Sequence, residues 1–132
     1  MDTFTFDFVT PEAIFFSGQA AMVEASGTLG DFGVLPGHMN FITTLRPGVV
    51  TIHTANEHIS RIFVASGIAE VNNTSCTILA ESVIDLTALT RTEAEARVAA
   101  AKTAFDNSFD QDALYIATRE LEIAEAVLLA LQ

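Results

Sequence analysis

Basic residues are scarce in this chain. Six Lys and Arg stand against 17 Asp and Glu in 132 residues, a formal net charge of −11. That deficit excludes the cationic footprint a phosphate backbone demands, so nucleic acid is not an expected partner. An anionic lipid surface would repel the chain for the same reason, and no direct lipid binding is expected. A basic protein surface is the natural complement. Cysteine is nearly absent: Cys76 alone excludes an internal disulfide framework. Its neighbours Thr77, Ile78 and Leu79 read as strand, which makes it an inert packed thiol. No apolar run approaches the roughly 18 residues of a membrane span. The opening Met1-Asp2-Thr3-Phe4 has neither the basic and apolar regions of a secretory signal nor the arginine-rich look of a transit peptide. The expectation is a chain made in the compartment where it works.

The groups that carry chemistry are equally sparse. His38, His53 and His58 show no spacing for a shared metal site, and zinc needs three or four convergent ligands. Ser66-Gly67 lacks the Gly-x-Ser-x-Gly frame of a nucleophile turn. Glu70 and Glu81 fall in strand regions and read as surface or paired carboxylates. Catalytic residues, metal and cofactor are all expected to be none.

What is present divides near Asp85. All seven glycines, all three prolines and eight of the ten phenylalanines precede it; alanine and leucine dominate afterwards. In the first part Phe4, Phe6 and Phe8 alternate with Thr5 and Asp7, the period-two pattern of a half-buried strand. Further strands are read at Ile14–Ser17 and Ala20–Ala25 around Gly18, then at 40–45, 49–54, 59–66, 68–71, 75–80 and 83–85. Frequent turn signals separate them, with 49–54 and 59–66 forming a hairpin around Asn56-Glu57. About ten short strands argue for a β sandwich or flattened barrel.

The second part is helical. Thr90-Arg91-Thr92-Glu93 is a capping-box pattern, followed by Ala94, Val98, Ala101 and Phe105 on one face. Asp110 can cap a second helix, whose Leu114, Ala117, Leu121, Ala124, Leu128 and Leu131 repeat at three and four. Ile116, Ile123 and Val127 are expected to widen that face. The two helices should form an antiparallel hairpin. Its alanine-rich interface offers little area, so it should be less stable than the sheet and able to open. The expected domains are 1–86, the sandwich, and 87–132, the hairpin.

The densest signal is Gly27-Thr28-Leu29-Gly30-Asp31-Phe32-Gly33-Val34-Leu35-Pro36-Gly37-His38. It reads as two tight reversals flanking a short strand, with Asp31 and His38 displayed near them. No Lys-Ser/Thr pair follows the glycines, and no long helix starts there, so it is not a phosphate loop. The residues alone lead to an acidic sandwich with a helical appendage, suited to binding a partner.

An ordered set of motifs goes further. Thr10-Pro11-Glu12, Phe16-Ser17-Gly18, Gly30 through His38, Leu45-Arg46-Pro47-Gly48, Ser66 through Val71 and Leu79-Ala80-Glu81 resemble the epsilon subunit family of the F-type ATP synthase, called delta in mitochondria. The resemblance covers residues 1–85; the hairpin matches in length and pattern. It implies a ten-stranded sandwich followed by two helices, in a non-catalytic rotor subunit of the proton-translocating enzyme. Such a subunit binds gamma and the polar loops of the c-ring and couples ring rotation to ATP synthesis. Its hairpin can also reach the alpha/beta catalytic head. The resemblance places Asp31 against the c-ring loops, where it would pair with a basic residue while Gly30 and Gly33 permit backbone approach. The alternative is a solvated Asp31 on glycines that serve only turn geometry. His38 is placed on the gamma-facing side, or else serves a hydrogen bond that steadies the Pro36-Gly37 turn. The absence of a transit peptide favours the cytoplasmic face of a bacterial inner membrane, with the chain held peripherally by its partners; a chloroplast-encoded chain would lack one too. A free-standing adaptor on the same scaffold is the alternative function, and co-elution with gamma separates the two.

The chain also departs from the pattern. Relatives that bind ATP on the hairpin use aliphatic-Asp-x-x-Arg-Ala; here Leu89-Thr90-Arg91-Thr92-Glu93-Ala94 has Thr90 for the aspartate and Glu93 for the arginine. The register from Ile84-Asp85 also lacks the arginine. A carboxylate repels a polyphosphate, so ATP binding should be weak or absent. On the second helix Arg119 stands against Asp112, Glu120, Glu122 and Glu125, a poor balance for meeting an acidic segment of the beta subunit. A weak brake on ATP hydrolysis follows.

Overall fold

The structure, a computed structural model, describes residues 2–131; Met1 and Gln132, the outer ends of the two expected domains, lie outside the described residues. The chain divides into two compact units, Met1–Thr87 and Ala88–Gln132. The first contains β1 (Phe4–Val9), β2 (Ile14–Ala20), β3 (Met22–Gly27), β4 (Gly30–Val34), β5 (Phe41–Leu45), β6 (Gly48–His53), β7 (Ile59–Val64), β8 (Gly67–Val71), β9 (Ser75–Ala80) and β10 (Val83–Asp85). The second contains α1 (Arg91–Asp106) and α2 (Gln111–Ala130).

The strands run in the order β10-β7-β6-β3-β5-β8-β9-β1-β2, with β4 on the remaining side of β3. Every pairing is antiparallel except β1 with β9. The sheet folds on itself because β3 changes partner along its length. Its first residues, Met22 to Glu24, pair with β6, and its last, Gly27, pairs with Leu45 of β5. The two halves thus meet in one core. Val23, Val34, Val50, Ile52, Ile62 and Val64 of one half are buried in the same cluster as Phe4, Phe6, Phe8, Val71, Cys76 and Ile78 of the other. The alternation read from Phe4 to Phe8 places all three rings inside, and burial of each contributes about 1.5–3 kcal/mol.

Several strand ends shift by one or two residues from expectation, as where 59–66 ends at Val64, and one division moves altogether. Gly18 does not divide 14–25; β2 runs straight through it and the break falls at Ala21, whose N–H donates to His53 O at 2.7 Å. Gly18 is held opposite Phe6 by the ladder to β1, and the Phe16 ring lies over the missing side chain, 3.7 Å from where a Cβ would stand. Phe16 also packs on Phe6, ring centres 5.7 Å apart. An aromatic neighbour thereby restores the packing that the glycine gives up.

In the helical unit both caps form as read. The Thr90 hydroxyl accepts from the Glu93 N–H, and the Glu93 carboxylate accepts from the Thr90 N–H. The Thr90 hydroxyl also donates to the Glu93 carboxylate at 2.9 Å, and this bond, ahead of the one from the Thr90 N–H, holds the carboxyl below its ordinary range. The Asp110 carboxylate accepts from the Ala113 N–H at 2.7 Å. The helix-to-helix surface is narrower than expected. Ala94, Ala117, Ala124 and Val127 are buried, but Ile116 is 61% exposed, and Phe105 and Leu114 are also exposed. Ile116 lies about 100° round the helix from Ala117, off the buried stripe.

Candidate interaction surface

The glycine-rich stretch folds as its sequence suggests. Val23 through Gly27 pair with Val34 through Gly30, leaving Thr28-Leu29 as a two-residue turn. Gly30 has φ of 137°, a conformation that side chains rarely adopt. Asp31 lies opposite Ser26 and is exposed. Its carboxylate Oδ1 accepts from the Arg46 guanidinium, beyond the end of β5. Gly33 is different. It has no positive φ, and a Cβ there would meet only Val23 O, at 4.0 Å. Nothing within this chain requires a glycine at that position. By contrast, a Cβ on Gly27 would come within 2.7 Å of Gly30 O, and one on Gly67 within 2.6 Å of Leu79 O. The hairpin therefore shows a bare strip of backbone beside a carboxylate.

His38 follows Gly37, which has φ of 80°. The His38 N–H donates to Leu35 O at 3.2 Å and closes the turn after Pro36. The ring nitrogen Nδ1 is 3.0 Å from Met39 O. The imidazole packs on Phe41, ring centres 5.2 Å apart, and Phe41 in turn meets Phe32 of β4 edge-on at 5.2 Å. The hydrogen bond that steadies the turn thus comes from the His38 backbone, and the ring is engaged elsewhere. The same segment leaves Met39 81%, Ile42 70% and Leu35 54% exposed.

A feature missed in the sequence lies on the outer face of the second half-sheet. Ile68 pairs with Leu79, Leu79 with Val9, and Val9 with Ile14, so one row of apolar side chains crosses β8, β9, β1 and β2. Ile14, Ile68 and Leu79 are exposed, as is Ile42 on neighbouring β5. An antiparallel sheet facing water normally alternates apolar in and polar out, so a contiguous outer apolar row marks a contact surface. The signal was available: Ile78 and Leu79 are adjacent, and a strand cannot turn both inward.

The remaining candidates are absorbed by the fold. The Ser66 hydroxyl donates to Glu81 Oε2 at 2.7 Å, and Glu70 is exposed. His53 Nε2 lies 3.2 Å from Glu24 Oε2, a cross-strand pair. Among the described residues no three His, Cys, Asp or Glu converge as metal ligands. Burial pushes the Cys76 thiol up to about 12, which keeps it protonated and unreactive. No helix of the described residues is long and apolar enough to cross a membrane.

Comparison with known proteins agrees with this architecture. A family model described as ATP synthase, Delta/Epsilon chain, beta-sandwich domain matches residues 3–86. The ATP synthase epsilon chain of Rhodospirillum rubrum is 41% identical over 125 residues, covering 95% of this chain and 87% of that one. The epsilon chain of Paramagnetospirillum magneticum is 44% identical over 123 residues, 92% of each. In fold, the chain is similar to one in the Euglena gracilis mitochondrial ATP synthase OSCP/F1/c-ring structure, with a TM-score of 0.82 at 19% identity over 98% of this chain and 82% of that one. A chain in the Tetrahymena thermophila central stalk/c-ring structure matches with a TM-score of 0.66 at 13% identity, covering 99% and 98%. With a family model over residues 3–86 and relatives 41% and 44% identical over most of its length, this chain belongs to the delta/epsilon family of ATP synthase subunits.

Proposed function

We propose that the chain is a non-catalytic central-stalk subunit that transmits rotation between the c-ring and gamma of an F-type ATP synthase. The observation that carries this reading is a sheet with two separate contact surfaces on one shared core. One is the glycine hairpin with Asp31; the other is the apolar outer row of Ile68, Leu79, Val9 and Ile14. A subunit that passes torque must hold two partners at once and deform little between them, and a folded, hydrogen-bonded sheet meets that need better than loops. Asp31 pairs with a cation of the c-ring loops, and the bare strip at Gly30 and Gly33 admits their backbone. The apolar row takes gamma, and His38, held against Phe41 in the loop after β4, adds to that contact. The complex holds the chain peripherally at the cytoplasmic face of the inner membrane.

The helical pair contributes little inhibition, and its ATP binding is weak or absent. Glu93 is engaged by Thr90, and Arg91 is engaged by Glu95 at 2.9 Å. The start of α1 therefore offers a polyphosphate a carboxylate and an already paired guanidinium.

Co-elution with gamma tests the main reading. The Ile68→Asp, Leu79→Asp double variant should keep its sheet by circular dichroism and lose gamma, because each carboxylate would be buried without a partner. Unchanged co-elution would overturn the assignment of the apolar row.

A further inference from the structure

Asp31 sits where its own strand cannot hold it. Gly30 precedes it, Gly33 follows two positions later, and neither has a side chain to pack on the carboxylate. The support comes instead from a different loop. The Arg46 N–H donates to Ser26 O at 3.0 Å, and Ser26 is the residue paired with Asp31 across the hairpin. Pro47 confines the Arg46 backbone to extended conformations. Gly48 lets the loop lie on β3, since a Cβ at that position would overlap the Ser26 side chain. Nearby, the Thr28 N–H donates to Thr44 O at 3.0 Å, and the two threonine hydroxyls are 2.7 Å apart. The backbone of Arg46 is thus fixed beside the point where β3 passes from β6 to β5. Its guanidinium reaches from there to the tip of the hairpin.

An exposed ion pair adds little to stability, so its use must lie elsewhere. We infer that Arg46 is a positioning residue for partner docking: it holds the Asp31 carboxylate through Oδ1 and ties the hairpin tip to the sheet junction. Oδ2 has no partner among the described residues and is left to accept from an incoming cation. Load applied at Asp31 then passes through Arg46 into both half-sheets rather than bending a two-residue turn. The guanidinium also repels a bare cation, so the tip selects a loop that offers a basic side chain to Asp31 together with a hydrogen-bond acceptor to Arg46. This inference rests on the proposed contact between Asp31 and the c-ring.

The test measures docking of the full chain, bound to gamma, onto detergent-solubilised c-ring. Asp31→Asn tests the contact itself and should weaken docking about tenfold. Arg46→Ala should weaken it about two- to fivefold, with Arg46→Lys recovering most of the loss, and should add little to Asp31→Asn. In the free chain, amide exchange at residues 28–32 should quicken in Arg46→Ala while the core strands stay protected. Wild-type docking by Asp31→Asn overturns the contact and the docking role of Arg46 with it. If Asp31→Asn weakens docking but Arg46→Ala leaves it equal or tighter, the contact stands and Arg46 is a competitor. Unchanged exchange at 28–32 likewise overturns the positioning role.

Discussion

The two units of this chain are stabilised by different means. The sheet unit buries Phe4, Phe6, Phe8 and a set of Val and Ile side chains in one cluster. The helical unit buries Ala94, Ala117, Ala124 and Val127, side chains that bring little apolar area out of water. What the helices lack in packing they make up locally, with a capping box on α1 and an aspartate cap on α2. A unit stabilised by caps and propensity opens at small cost, whereas one stabilised by a shared core does so only by unfolding. The difference matches the division of labour proposed above: the sheet bears load, and the helical pair is an adjustable appendage.

The strongest way to break the comparison is to hollow the core. Phe6→Ala should destabilise the sheet unit by about 3–5 kcal/mol, read as a lower urea midpoint in tryptic or fluorescence-dye unfolding. No single substitution in the helical unit should approach that. A smaller effect separates glycines that serve the fold from one that serves a partner. Gly67→Ala, where a Cβ would press on the Leu79 backbone, should cost about 1–3 kcal/mol. Gly33→Ala should change stability by under about 0.5 kcal/mol and yet weaken docking to the c-ring. Equal stability losses at both positions would erase the distinction.

Much of this was legible in the sequence, and the exceptions have physical causes. The turn at Pro36-Gly37 and the Thr90–Glu93 box are local signals that local hydrogen bonding decides, and the alternation from Phe4 to Phe8 is legible because its period of two assigns each side chain to a face. Gly18 was misread because the ladder and the Phe16 ring, both supplied by neighbours, outweigh the glycine's own preference. Ile116 was misread because the stripe that α2 buries, at Ala117, Ala124 and Val127, is narrower than the apolar stripe in its sequence. The Asp31–Arg46 pair depends on β3 passing from β6 to β5 at Gly27, a tertiary event that spacing along the chain does not reveal. The outer apolar row escaped notice because Ile68, Leu79, Val9 and Ile14 come from four separate strands and become one surface only through register.

Finer effects should appear in the helical unit alone. Thr90→Ala removes the cap and should cost the helices about 1 kcal/mol, visible as lost ellipticity at 222 nm with the sheet transition unmoved. The same cap gives a sign for pH. Because the folded state holds the Glu93 carboxyl below its ordinary range, its contribution is complete at neutral pH. That contribution fades as pH falls through the depressed value, so acid should fray α1 in wild type more than in Thr90→Ala. The smallest expected effect is on catalysis. Ending the chain before Ala88 should change ATP hydrolysis by the reconstituted head less than about twofold, given the acidic balance of α2. A marked rise would show that the helices inhibit despite their charge.

The most direct test of the central claim is proton pumping driven by ATP in membranes carrying the whole synthase, assembled with either the wild-type chain or the Ile68→Asp, Leu79→Asp variant. If the sheet links gamma to the ring, the variant should keep hydrolysis and lose pumping. Pumping at the wild-type rate, with the variant chain released from the complex, would mean that the link between shaft and ring does not run through this subunit.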